Sequence, residues 1–247
     1  VKDEEYLISK AKVKVNGKFY YTGNAIRLST TTPETAPQLV VTVGSGRNQK
    51  KLKEKIGSGE GDFSVTYENN INAGKATIVI TGTGNYIGEK RATFTISKRA
   101  LADASKIKTD ADRASKGSIQ MPELSVRNLQ KTLDGNWTVS ANGNLINRDN
   151  KNSVEKGTLA IPYNGYALTP EIVFKSQNHD VKGAEVMHTL STNDYRVSYQ
   201  IGTWEEKKEG AGTVRYAPVS ATIAGKGNYS GSVKIKNIFT LTALDLR

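Results

Sequence analysis

Residues that could support chemistry are few in this chain of 247 residues. It has no cysteine, which excludes a disulfide framework, a thiolate metal site and a cysteine nucleophile. The two histidines, His179 and His188, lack the His-Glu-x-x-His spacing of a zinc site. Oxygen ligands occur in residues 147–152, but cations interrupt them and the order of an EF-hand is missing. We therefore expect no metal site, no cofactor and no enzymatic activity.

A glycine-rich motif at residues 82–88, Gly-Thr-Gly-Asn-Tyr-Ile-Gly, resembles a dinucleotide fingerprint at first sight. Its spacing differs by one residue, and a strand-like segment follows where the fingerprint requires a helix. The motif instead favours a hairpin between two strands, with glycines at positive φ. Tyr86 is then expected to pack at the edge of a core, and its alternative role is stacking on a sugar ring.

The same motif returns at residues 225–231, Gly-Lys-Gly-Asn-Tyr-Ser-Gly, with an offset of 143. Residues 63–67 return at 195–199 with an offset of 132, and residues 21–26 return at 163–168 with an offset of 142. The three matches fall in the same order, so the chain contains two copies of one unit.

The copies differ in length. Residues 6–10 resemble residues 94–98 and 239–243, so we expect the chain to open on the last strand of a preceding repeat. The offset grows from 88 to 142 before Tyr163, which predicts an insertion of 54 residues at about 102–159. Short alternating runs around Trp137 predict hairpins in this insertion, and residues 102–116 suit a short helix.

The fold class follows from alternating polar and apolar residues in short segments separated by turns. Residues 11–15, 63–67, 76–80 and 92–96 all alternate with a period of two. Such strands bury one face and expose the other, as in a β-sandwich. We predict an all-β protein with two domains, residues 1–98 and 99–247.

The repeated pattern resembles the Ig-like repeats of bacterial, mainly Gram-positive, cell-surface proteins. The resemblance rests on Tyr-Thr-Gly at 21–23, Asn-Asn-Ile-Asn-Ala-Gly at 69–74 and the glycine-rich motif at 82–88. It covers both copies but not the insertion. It implies two tandem Ig-like sandwiches, the second with a large insertion, outside the cell, and it implies no catalytic residues.

Candidate ligand-binding residues are the aromatics of the second copy, Trp137, Trp204 and Tyr166. A tryptophan in a polar turn can cap a sandwich or anchor a ligand. The net charge of +11 predicts weak attraction to acidic polymers. The basic segment 47–55 is interpreted as a solvated hairpin tip, with contact to an anionic polymer as the alternative.

The sequence thus favours a structural or adhesive module of a bacterial cell-surface protein, non-enzymatic and monomeric, with a host or wall glycan or a protein as its ligand. The main alternative is an accessory carbohydrate-binding or spacer module of a cell-wall-associated or glycan-degrading enzyme. A third, nucleic-acid binding, rests on charge alone, without a recognised nucleic-acid motif. The sequence predicts no transmembrane segment, because no apolar run approaches ~18 residues.

Overall fold

The computed structural model describes residues 6–31, 37–120, 137–139, 145–147, 153–154, 160–162, 173–177, 185–209 and 212–244. The chain divides into two compact units, Val1–Arg99 and Ala100–Arg247. The described residues are mostly β-strands with one short α-helix, which confirms the predicted all-β class. Among them, no helix is both long enough and apolar enough to cross a membrane.

In residues 6–31 and 37–99, the first unit contains two sheets that share one core. The three-stranded sheet, in the order β1-β3-β4, is formed by β1 (Lys12–Val15), β3 (Leu39–Val43) and β4 (Lys50–Lys51). The four-stranded sheet, in the order β2-β7-β6-β5, is formed by β2 (Phe19–Tyr20), β5 (Phe63–Glu68), β6 (Gly74–Gly82) and β7 (Glu89–Ser97). Short 3₁₀ helices span Ile8–Lys10 and Gly46–Asn48.

Alternating residues of both sheets meet in this core. Leu39 and Val41 of the smaller sheet and Ile78 and Ile80 of the larger one belong to a single cluster of buried side chains. Burial of each such side chain contributes about 1.5–3 kcal/mol. Phe94 packs edge-on against a neighbouring ring, with 5.3 Å between the centroids of Phe19 and Phe94. The first unit is therefore a sandwich-like pair of sheets, as its alternation predicts.

The described residues of the second unit form three sheets. The first, in the order β15-β14-β9-β8-β19, is formed by β8 (Arg99–Ala102), β9 (Lys116–Gln120), β14 (Val173–Gln177), β15 (Glu185–Thr189) and β19 (Tyr229–Ser230). The second, in the order β13-β20-β18-β16 with β17 also paired to β18, is formed by β13 (Ala160–Pro162), β16 (Tyr195–Ile201), β17 (Glu205–Glu209), β18 (Gly212–Gly225) and β20 (Ser232–Leu244). The third, in the order β10-β11-β12, is formed by β10 (Trp137–Val139), β11 (Leu145–Asn147) and β12 (Ser153–Val154).

The sequence offsets predict how the strands of the two units correspond, and the registers agree. Phe63 lies opposite Gly82 in the first unit, and offsets of 132 and 143 lead to Tyr195 opposite Gly225, as observed. The first and last strands correspond as well. Phe19 pairs in parallel with Ile96, and the matching pair is Ile161 with Leu241. The two repeats of the sequence are therefore two copies of one strand arrangement.

A β-bulge explains why the offset rises from 143 to 145 near the end of each unit. In the β18–β20 ladder, Ala221 lies opposite Ile235, but Val219 lies opposite Phe239. Two steps along β18 thus correspond to four along β20, and β20 holds two extra residues there. The corresponding β6–β7 ladder runs on without a shift.

The start of the first unit differs from the expectation. Residues 6–10 were expected to be a last strand, but Ile8–Lys10 is a 3₁₀ helix and Ile8 is fully buried in the core of the first unit. Leu7 forms a parallel bridge with Ile87. With the offset of 143, residue 87 corresponds to Ser230 of β19, which neighbours β8. Residues 6–8 therefore match β8, the opening strand of the second unit.

The segment predicted as an insertion contains both shared and added elements. β9 lies within it, yet β9 pairs with β14 as β1 pairs with β3. The predicted short helix is present as α1 (Asp110–Ser115), whose N-cap Thr109 forms a capping box with Asp112. The predicted hairpin is present as β10 paired with β11.

Candidate binding surfaces

The glycine motifs build two equivalent turns, which we call the glycine turns (residues 82–88 and 225–231). Gly84 and Gly227 both have φ of +61°, a conformation that disfavours side chains. A Cβ on Gly82 would lie 2.8 Å from the backbone nitrogen of Ile87. A hairpin with glycines at positive φ is thus confirmed, and the motif serves turn geometry rather than the approach of a phosphate.

The tyrosines of the glycine turns are buried, as the favoured interpretation of the motif requires. Tyr86 is 6% exposed and Tyr229 is 4% exposed. The N–H of Tyr86 donates to the carbonyl oxygen of Thr83 at 3.0 Å, and that of Tyr229 donates to Lys226 at 3.0 Å. Neither ring presents a face that a sugar could stack on.

Trp204 lies in the turn between β16 and β17 and is partly buried. The guanidinium carbon of Arg215 is 5.7 Å from the centroid of its ring, close enough for a cation–π contact. The Nε of Arg215 is also 3.5 Å from the Oε1 of Glu206, which lies directly opposite on β17. Trp204 is thus held at the edge of a charged hairpin, with part of its surface accessible to a ligand.

The hairpin of β17 and β18 has no counterpart in the first unit. β18 has 14 residues, whereas β6, its equivalent, has nine. The longer end of β18 pairs with β17 on one side and with the end of β20 on the other. Trp204 stands where this three-stranded extension begins, and loops and edges of this kind carry recognition on rigid scaffolds.

The structure gives less information on the other aromatic candidates, Trp137 and Tyr166. Trp137 begins β10, opposite Asn147 of β11. Tyr166 lies in residues 163–172, outside the described residues, and His179 lies outside them in residues 178–184. The structure therefore does not bring the three predicted binding residues together in one described site.

A groove in the first unit was not predicted from the sequence. It has a volume of about 570 Å³ and lies between the loop of residues 53–62 and the first glycine turn. The residues that line it are Lys53, Lys55, Ser58, Gly59, Glu60, Gly61, Asp62, Thr83, Gly84 and Asn85. Its walls thus offer ammonium, carboxylate, hydroxyl and amide groups.

Hydrogen bonds across the floor of the groove fix its shape. The N–H of Asp62 donates to the carbonyl oxygen of Lys53 at 2.7 Å, and the carboxylate of Asp62 accepts the N–H of Lys53 at 2.9 Å. The Thr83 hydroxyl donates to Gly61 at 2.7 Å. Gly61 is required because a Cβ there would lie 2.4 Å from the backbone nitrogen of Lys55.

This groove suits hydrogen bonding to a polar ligand. Lys50 contacts one of its lining residues, with Nζ 3.9 Å from the Asp62 Oδ1, and Nζ is also 3.5 Å from the Tyr86 hydroxyl. Among the described residues, no group of three or more histidine, cysteine or acidic side chains is placed to hold a metal ion.

Compared with known proteins, the chain matches no protein-family model, no curated protein and no solved structure. Its function is therefore proposed from its own residues and geometry.

Proposed function

We propose that this chain is a non-enzymatic structural and adhesive module of a bacterial cell-surface protein, built from two tandem Ig-like sandwiches. The extracellular setting and the Ig-like assignment are supported by the repeat pattern and its resemblance to Ig-like repeats of cell-surface proteins. The structural role is supported by one observation above the others. In each unit the first strand of one sheet pairs in parallel with the last strand of the unit.

We call β2 with β7, and β13 with β20, the terminal strand pairs. Because the two strands of each pair run in the same direction, the start of the first strand and the end of the last strand lie at opposite ends of the pair. Tension that has passed the elements before the pair therefore slides the two strands past each other, and the hydrogen bonds between them must break together. This geometry suits a module that keeps its shape while it connects an anchor to a ligand.

The matching registers strengthen this interpretation. Tyr20 lies opposite Ser97, and the N–H of Tyr21 donates to the carbonyl oxygen of Ser97 at 2.9 Å. In a parallel ladder the N–H of Tyr20 then faces away from β7. Its equivalent in the second unit is Pro162, opposite Thr242, and proline is accommodated where the N–H points outward.

Single-molecule stretching of the full chain tests the structural role. The units have 99 and 148 residues. At ~3.3–3.6 Å per residue, their unfolding should release up to roughly 350 and 500 Å of chain in two separate events. One gradual extension without separate events would contradict the proposal.

A matched pair of proline substitutions then tests the terminal strand pair itself. Tyr21→Pro removes the N–H that bonds Ser97 and should lower the unfolding force of the shorter event only. Tyr20→Pro places proline where the second unit already has Pro162, and should lower that force much less. Tyr21→Ala controls for the loss of the side chain. Equal forces for both proline variants would contradict the proposed role.

The adhesive role and the alternative, an accessory carbohydrate-binding module, both make use of Trp204, which is partly exposed. The test is an array of glycans and matrix proteins probed with the wild type, Trp137→Ala and Trp204→Ala. Loss of an aromatic anchor typically weakens binding by ~2 kcal/mol or more. Binding only to glycans would favour the carbohydrate-binding module. Binding that survives both substitutions would contradict the involvement of these tryptophans.

A further inference from the structure

The basic segment of the first unit has a defined orientation. Lys51, Lys53 and Lys55 are exposed, whereas Leu52 between them is 4% exposed and faces the core. The N–H of Leu52 donates to the carbonyl oxygen of Val41 at 2.9 Å, so the segment continues alongside β3 beyond the end of β4. The segment therefore alternates like a strand, with every second residue a lysine directed outward.

A second row of lysines lies on the other side of β3. Lys12 and Lys14 of β1 are exposed, and Lys12 lies opposite Thr42. Thr42 in turn lies opposite Lys51. Residues opposite one another in an antiparallel ladder share a face, so Lys12, Thr42 and Lys51 lie side by side across the outer face of the sheet.

The same register places the next lysine of each strand. Lys14 lies opposite Val40, and the bond from Leu52 to Val41 brings Lys53 next to Val40 on the far side. We call Lys12, Lys14, Lys51 and Lys53 the lysine face; Lys55 lies beyond it, where the segment turns to β5 and the N–H of Lys55 donates to the carbonyl oxygen of Phe63 at 2.7 Å. Its members are ~6.7 Å apart along a strand and ~9.6 Å apart across β3. Two rows of cations thus flank a narrow strip formed by Val40 and Thr42.

The charge of this face is not neutralised by its neighbours. Within the described residues, the structure gives none of the four lysines an ion pair. The carboxylates of the same segment are otherwise engaged. Glu54 accepts a hydrogen bond from the Thr30 hydroxyl at 2.6 Å, and Asp62 accepts the backbone N–H of Lys53.

We propose that the lysine face binds a linear polyanion, a single unbranched polymer that carries sulfate or phosphate groups and lies along β3 between the two rows. Sulfate and phosphate share the tetrahedral oxyanion that an ammonium group binds as a point charge. The carboxylates of Glu60 and Asp62 line the neighbouring groove, so the path of the polymer ends at Lys53. This inference depends on neither the terminal strand pairs nor Trp204.

A purely protective role is the competing explanation, because lysines on edge strands discourage the pairing of sheets between molecules. That role requires lysines on the edge, but it does not require two rows in register across the sheet. It also predicts the same feature in both units. In the second unit, β9 and β14 are equivalent to β1 and β3, and their only lysines are Lys116 and Lys175. Lys116 forms an ion pair with Asp112 at 2.6 Å.

Binding of the full chain to heparin, a sulfated polysaccharide, and to inorganic polyphosphate tests the proposal. With four cations engaged, log K should fall with log salt at a slope of about −2.8, or about 50-fold between 50 and 200 mM salt. The variant Lys12→Gln/Lys14→Gln/Lys51→Gln should bind at least tenfold more weakly, and its slope should be smaller by about 2.

The matched control is Lys18→Gln/Lys75→Gln/Lys98→Gln, which removes the same charge from exposed lysines outside the sheet of β1, β3 and β4. It should bind nearly as the wild type does. Binding to heparin alone would show that the face prefers sulfate, and binding to polyphosphate alone would show that it prefers phosphate. Equal losses in both triple variants, or no binding to either polymer at 50 mM salt, would overturn the proposal. Self-association of the first variant by light scattering, with polymer binding unchanged, would also overturn it in favour of edge protection.

Discussion

Substitution of the first glycine of a glycine turn offers a direct test of the repeat architecture. In Gly82→Ala, the new Cβ would lie 2.8 Å from the nitrogen of Ile87 and 2.8 Å from the carbonyl carbon of Tyr86. Both are backbone atoms. The turn cannot easily yield, because the N–H of Gly82 donates to Gly88 at 3.0 Å and that of Tyr86 donates to Thr83 at 3.0 Å.

The expected loss of stability combines two opposing effects. Overpacking typically costs ~1–3 kcal/mol. Alanine also restricts the unfolded chain more than glycine does, which offsets about 0.4–1 kcal/mol of this loss in the free energy of unfolding. The net loss is therefore about 1–2 kcal/mol. For a unit of 99 residues, this corresponds to a fall in melting temperature of about 5–15 °C.

The sequence supplies the assay, because both tryptophans, Trp137 and Trp204, belong to the second unit. Tryptophan fluorescence therefore reports on that unit, whereas far-UV circular dichroism reports on both. Gly82→Ala should shift part of the dichroism transition and leave the fluorescence transition in place. Gly225→Ala, where the Cβ would lie 2.8 Å from the nitrogen of Ser230, should shift the fluorescence transition.

Gly46→Ala is the control, because Gly46 has φ of +56° and open space around it. It introduces backbone strain of ~1–2 kcal/mol without a clash. The argument from clash is refuted if Gly82→Ala costs less than about 0.5 kcal/mol. A shift of the fluorescence transition in Gly82→Ala, equal to that of the dichroism transition, would contradict independent unfolding of the two units.

Three further predictions concern single residues. Asn70→Ala removes a hydrogen bond of 2.8 Å from its Nδ2 to a main-chain oxygen and should cost about 1–2 kcal/mol, measured by dichroism without a change in fluorescence. Burial raises the pKa of Tyr67, so the stability that its neutral phenol contributes is present below pH ~10 and is lost as the pH rises through the higher pKa of the folded state. Tyr67→Phe removes the hydrogen bond from the N–H of Leu28 at 3.0 Å and should abolish this alkaline loss of stability in melting curves recorded over a pH series. The ammonium group of Lys116 and the N–H of Thr109 hold the pKa of Asp112 below its ordinary value, so an NMR titration should give a midpoint below ~3.9 that rises in Lys116→Gln.

Local patterns in the sequence predicted those parts of the fold that depend on nearby residues. Alternation located β5, β6 and β7, and the glycine turns followed from glycine spacing. Once the register of the first unit is known, the repeat offsets also lead to the residues that lie opposite one another in the second unit. They did so because a repeated sequence that forms the same strands must also repeat their register.

Other features depend on contacts between distant segments and could not be predicted in this way. Residues 6–10 resemble a last strand in composition, but their contact with Ile87 places them at the opening of the first unit. The lysine face was missed for the same reason. Lys12 and Lys51 are 39 residues apart in sequence, and only their shared neighbour Thr42 brings them onto one face. Tyr166 and the ligand preference of the Trp204 turn stay predictions.

The bulge in β20 shows how a strand of such a repeat can gain residues while its pairing with the neighbouring strand continues. Side chains alternate between the faces of a sheet with a period of two, so an odd insertion would turn every later residue to the wrong face. The bulge holds two extra residues, an even number. The ladder beyond it therefore resumes with the same alternation, and Leu241 lies opposite Ile161. Copies of this unit are thus expected to vary in strand length by steps of two, and an engineered pair of residues at this point should be tolerated where a single one is not.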